Sequence, residues 1–187
     1  MDFKVVRLTE KERDMLSRSK FEFFIPINER LSLNRSEFFA FRDWDDGQDI
    51  LFDIRALKNA ILENAIHFVT MEVELDEELV KRALTRGGID QDYLNAPEQA
   101  HNIDMPTITV LWDDGQGTLV DGNHRIVKRY NKGLKKIRCV VVPDEKAWRP
   151  FAYFDKDIPE SAKDLFKGLP TKEEWERANS SNIEPSN

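Results

Sequence analysis

Cysteine is nearly absent: Cys139 is the only one in 187 residues. An intramolecular disulfide is therefore excluded, and no cysteine cluster can hold zinc. Cys139 sits in the apolar run Ile137-Arg138-Cys139-Val140-Val141-Val142. That run reads as a buried strand, so the thiol is expected as a small core residue rather than a nucleophile. Histidine is scarce too, and His67, His101 and His124 lack metal-ligand spacing. No apolar run approaches the ~20 residues of a membrane span, so no membrane partner is expected. The start, Met1-Asp2-Phe3-Lys4, lacks the basic and apolar stretches of a secretory signal. A cytoplasmic location is the expectation. Excess positive charge is also missing: 28 Lys and Arg against 35 Asp and Glu give a net charge of −7. Such a chain repels a phosphate backbone unless its cations gather on one face, so duplex DNA is not expected as the main partner.

What is present is the pattern of one cored α+β domain with extensions. Thr9 and Glu12 have capping-box spacing, which predicts a first helix over 9–19. Residues 21–27 read as a short strand and 34–44 fit no one period. Asp53 can cap a helix running to Asn64, with Ile54, Leu57, Ile61 and Leu62 on one face. A strand is expected over 67–75, then a helix from the Asp76 cap to Arg86, stopped by Gly87-Gly88. Residues 88–105 read as a long loop of the kind that is often functional. Strands are expected over 107–112 and 118–120, joined by the turn Asp113-Asp114-Gly115-Gln116-Gly117. A helix over 123–132 should end at Gly133, and a strand should span 136–142. Trp148 to Phe154 is aromatic-rich and expected to pack back on the core. Thr171 and Glu174 form a second capping box, and 180–187 reads as a disordered tail. The expected division is an N-terminal extension 1–66, a core 67–143, a C-terminal extension 144–179 and the tail. Both extensions are expected to be helical.

Trp44-Asp45-Asp46-Gly47-Gln48 recurs as Trp112-Asp113-Asp114-Gly115-Gln116 with unmatched flanks. Both copies suit tight turns and neither marks a repeat. The acidic stretch 43–49 misplaces the glycine that a calcium loop requires. A basic run from Arg125 to Arg138 includes Lys128, Arg129, Lys132, Lys135 and Lys136. It reads either as a solvated helix face or as a phosphate-facing rim.

The segment that carries chemistry is Leu119-Val120-Asp121-Gly122-Asn123-His124-Arg125-Ile126-Val127, a strand, tight turn and helix. Gly122 permits a sharp turn or a close ligand approach. Asn123, His124 and Arg125 fall on the first helical turn, where free N–H groups and the dipole attract anions. Arg125 adds a charged fork suited to phosphate oxygens. His124 can move a proton near neutral pH, and Asp121 can accept a proton, hold a metal or orient His124. The plain alternative is a capped strand-to-helix turn with His124 and Arg125 on its surface.

The order of hairpin strand, Asp-Gly-x-His-Arg, helix, glycine, basic turn and strand resembles the ParB/sulfiredoxin-like superfamily. The resemblance covers about residues 67–142. It implies an α+β core, a small mixed sheet with packed helices, that binds ATP, ADP or CTP with the phosphates over the motif helix. ParB partition proteins carry Gly-Glu-Arg-Arg; this chain keeps Gly122 and Arg125 and lacks a following helix-turn-helix. Sulfiredoxins carry a cysteine where Asn123 stands, so their chemistry is excluded. The nearest pattern is the Asp-Gly-His-His-Arg of the ADP-dependent free-serine kinases, matched at Asp121, Gly122, His124 and Arg125. Those kinases use an upstream acidic base, for which Glu72, Glu74, Asp76 and Glu77 are candidates, though exposed strand and helix-cap positions are the simpler account of them.

The expected function is thus transfer or hydrolysis of a nucleotide phosphate. Gly122, Asn123, His124 and Arg125 would bind the nucleotide, and Asp121 and His124 would serve the chemistry. Mg²⁺ would arrive on the nucleotide, since magnesium needs only one or two carboxylates besides phosphates. The competing readings are a non-catalytic nucleotide sensor and a ParB-like nuclease.

Overall fold

In the computed structural model the described residues are 7–17, 27–33, 35–43, 47–86, 94, 103–174 and 177. The fold is mixed α+β. Helix α1 (Glu10–Ser17) opens in a reciprocal capping box: Thr9 N–H donates to Glu12 Oε2 at 2.8 Å and Glu12 N–H donates to Thr9 Oγ1 at 3.2 Å. Next come α2 (Ile27–Leu33), a 3-10 turn Arg35–Glu37, β1 (Phe38–Arg42), β2 (Asp49–Asp53) and α3 (Ile54–Leu62). They are followed by β3 (Val69–Glu74), α4 (Glu77–Arg86), the hairpin β4 (Thr107–Leu111) and β5 (Gly117–Asp121), and α5 (Asn123–Asn131). The chain continues through β6 (Lys136–Val142), α6 (Glu145–Trp148), β7 (Ala152–Phe154) and 3-10 turns that include Glu160–Phe166, and residues 172–174 are again helical.

The strands form two sheets. The larger has the order β3-β6-β4-β5, with β4 and β6 parallel and the other neighbours antiparallel. Period-two alternation gives it two buried faces. Ile108, Val110, Val120, Val140 and Val142 face a core shared with Leu16 of α1, Phe52 of β2, Leu57 and Ile61 of α3, and Trp148. Ile137 faces the opposite layer, where Val80 and Ala83 of α4 meet Ile126 and Val127 of α5. Trp148 is fully buried and its indole N–H donates to the Leu111 carbonyl at 2.7 Å, which fixes the aromatic segment on the core.

The smaller sheet, β1-β2-β7, is antiparallel and belongs to the flanking segments. The flanking segments, expected to be helical, thus also carry the strands β1, β2 and β7. Ile50, Leu51 and Phe52 are all fully buried, because β2 is covered on both faces and shows no alternation. Residues 34–44, which fit no one period, hold the 3-10 turn and β1. Of the expected strand 21–27, Ile27 instead begins α2, and 21–26 lie outside the described residues. Also outside them are 18–19, the Gly87-Gly88 stop, His101, most of the expected loop 88–105 and the tail.

Other local signals appear as hydrogen bonds. Asp53 caps α3 through Ala56 N–H at 3.0 Å, and Asp76 caps α4 through Leu79 N–H at 2.7 Å. The end of α5 closes with Gly133 N–H on the Tyr130 carbonyl and Leu134 N–H on the Arg129 carbonyl, a Schellman arrangement. Of the echoed segments, residues 44–46 lie outside the described residues; Asp43 N–H donates to the Gln48 carbonyl at 2.8 Å, and Trp112 N–H to the Gln116 carbonyl at 2.9 Å. Among the described residues no helix is long and apolar enough to cross a membrane.

Candidate functional site

The motif folds as strand, glycine and helix. Asp121 is the last residue of β5, and Asn123 is the first of α5. Gly122 between them has φ +113°. A Cβ there would lie 2.4 Å from Thr107 Cγ2, so both the backbone and the space demand glycine. The β4–β5 ladder carries a bulge at Ile108/Thr109, opposite the end of β5. Bulges of this kind redirect side chains beside functional sites. Gly122 offers no side-chain cap to α5, and the first helical bond closes from Ile126 N–H to the Gly122 carbonyl. The first turn of α5 thus starts at a residue with no side chain to cap it, at the positive end of the helix dipole.

The side chains are placed unequally. Asn123 is buried and borders a cleft of about 200 Å³ between α4, α5 and the larger sheet. Thr107, Thr109, Cys139 and Arg82 also line this cleft. His124 is half-buried. Arg125 is buried; its Nη2 donates to Asp121 Oδ2 at 2.9 Å and to the Pro106 carbonyl at 3.2 Å. Its Nε is buried without a partner.

Asp121 is joined from the other side by Lys58 of α3, whose Nζ lies 2.7 Å from the same Oδ2. Burial pushes the Asp121 carboxyl up, but the adjacent Arg125 and Lys58 cations overcome it and hold the group far below the usual carboxylate range. Asp121 is thus an anion that orients two cations, and a poor proton acceptor at neutral pH.

Sequence reasoning missed Lys58 and the charges around it. Arg30 of α2 pairs with the buried Asp53 at 2.5 Å, and Arg55 pairs with Glu37. Burial raises the Glu37 carboxyl above its ordinary value; Arg55 and Lys58 oppose the rise and Asp53 adds to it. One signal was available. Arg55 and Lys58 interrupt an apolar helix whose residues Leu57 and Ile61 are core, and positions three apart share a face.

Of the suggested upstream bases, Glu72 and Glu74 do not lie beside the motif. Glu72 and Glu74 lie on β3, the edge opposite β5 and three strand spacings away, roughly 14 Å. Glu72 pairs with Lys136, which lowers its carboxyl below the usual value, and Asp76 is spent as the α4 cap. Much of the basic run is likewise engaged internally. Arg129 bonds the Lys136 and Ile103 carbonyls and Asp104, while Arg138 bonds Glu12. Cys139 is buried, and burial pushes its thiol up, away from reactive thiolate character. Among the described residues no three His, Cys, Asp or Glu side chains group to hold a metal ion. No family model matches the chain, and no match is found among the curated proteins or the solved structures.

Proposed function

We propose that this protein binds a nucleotide through its phosphates at the N-terminus of α5, in the manner of the ParB/sulfiredoxin-like superfamily, and transfers or hydrolyses a phosphate there. The observation that carries the reading is the first turn of α5, entered through a left-handed glycine that has no capping side chain and set beside a cleft. Backbone N–H groups at such a turn bind phosphate oxygens without a specialised side chain. ATP, ADP and CTP are the ligands considered, with Mg²⁺ carried on the phosphates. Gly122 lets the chain turn, the Asn123–Arg125 amides face the anion, and Arg125 supplies charge from its remaining N–H groups. His124, on the same turn, is the group that would give or take a proton. Asp121 serves by fixing Arg125 rather than as a base.

The test is calorimetric titration of the folded protein with ATP, ADP, CTP and GTP, with and without Mg²⁺, followed by product analysis. Saturable binding with conversion supports the enzyme reading. Binding without conversion in any condition leaves the nucleotide-sensor reading. Absence of binding to every nucleotide overturns the proposal. In the enzyme case His124→Ala should lower turnover by ~10²–10⁴ while leaving affinity nearly intact, because a positioned acid or base contributes that much.

A further inference from the structure

We propose that Lys58, contributed by the N-terminal segment, is a second cation of the phosphate site and contacts the anion together with Arg125. The inference rests on the nucleotide-binding reading and names a ligand-contacting residue outside the motif.

Lys58 and Arg125 meet one oxygen of one carboxylate: Nζ is 2.7 Å and Nη2 is 2.9 Å from Asp121 Oδ2. The three side chains are 11%, 10% and 17% exposed. Two positive charges in a poorly hydrated place thus share one negative charge, and the positive end of α5 adds to the excess. Among the described residues the neighbouring carboxylates have cations of their own. Asp53 is taken by Arg30 and Glu37 by Arg55, so these pairs and the Lys58–Asp121–Arg125 group hold four cations against three carboxylates. Leaving a charge buried and unmatched is costly, and a bound anion relieves that cost.

Two further details point to the ligand's position. The Arg125 Nε is a buried donor without a partner. An ammonium carries three donors, and Asp121 Oδ2 is the acceptor Lys58 meets among the described residues. An anion with several oxygens, such as a di- or triphosphate, can satisfy donors of both cations at once, which a carboxylate side chain engaged through one oxygen does not. Segment 1–66 is then a working part of the site through α3.

The experiment compares wild type, Lys58→Gln and Lys58→Arg by titration with ATP and, separately, with inorganic pyrophosphate, alongside melting curves. Lys58→Gln should weaken both ligands by about tenfold or more, the usual loss of a charged hydrogen bond, and Lys58→Arg should recover most of it. Unchanged affinity in folded Lys58→Gln overturns the role of Lys58 while leaving the nucleotide reading standing. A wild type that binds neither ligand overturns both. Should Lys58→Gln fail to fold, the neutral pair Lys58→Met/Asp121→Asn is compared with Asp121→Asn alone. The double variant should bind about tenfold more weakly, and equal affinity again overturns the inference.

Discussion

Lys58 on α3 and Arg125 on α5 converge on the same carboxylate oxygen, Oδ2 of Asp121, at 2.7 and 2.9 Å. This junction links the N-terminal segment to the motif helix. It also makes Asp121 a structural anion, with consequences that can be measured.

Asp121→Asn leaves two buried cations facing an amide. Breaking a buried pair in this way costs about 3 kcal/mol or somewhat more, to be read from urea unfolding at neutral pH. The cost should depend on pH in a definite direction. The folded carboxyl titrates far below the unfolded value of about 3.9, so its contribution is complete above that value and is lost as pH falls through the lower folded one. The gap between wild type and variant should therefore narrow only in strong acid. Equal stability of wild type and variant at neutral pH would show that the two ion pairs contribute nothing.

Gly122→Ala faces two penalties. The backbone holds φ +113°, and the new methyl would sit 2.4 Å from Thr107 Cγ2. Left-handed strain and overpacking together should cost about 2–4 kcal/mol. A thermal melt within a degree of wild type would refute the tight turn at this position.

His124→Glu should move stability and binding in opposite directions. A carboxylate in the first turn of α5 favours the helix dipole by about 0.3–1 kcal/mol. The same charge repels phosphate and should lower nucleotide affinity by about tenfold or more. A variant whose affinity is unchanged while its melting point rises would place the phosphates away from this turn.

How much of this was legible in the sequence varied with the distance between the interacting groups. Capping boxes at Thr9/Glu12 and Thr171/Glu174 span three residues, and both appear as reciprocal bonds. The hairpin, the Gly122 turn and the helix ending at Gly133 were equally local, since each follows from residues within one turn of chain. The pairing of Arg125 with Asp121 is a four-residue relationship across the glycine. Strand β2 was not legible, because Ile50-Leu51-Phe52 is buried on both sides and lacks the alternation that distinguishes a half-buried strand. Nor was Lys58 legible as a site residue: helix periodicity places it on a face but does not say which distant carboxylate covers that face. The acidic candidates Glu72 and Glu74 failed for the converse reason. They fall within the core segment 67–143, yet the strand order puts them at the edge of the sheet opposite the motif strand.

The most direct test of phosphate binding at α5 is a ¹⁵N–¹H correlation spectrum of the assigned protein, titrated with ATP and Mg²⁺. Bound phosphate must polarise the amides it touches. The saturable shifts should be largest at Asn123, His124 and Arg125, with Gly122 alongside, and adenosine alone should not reproduce them. Saturable shifts centred elsewhere, or none at these amides at millimolar nucleotide, would contradict the placement of a nucleotide phosphate on this helix.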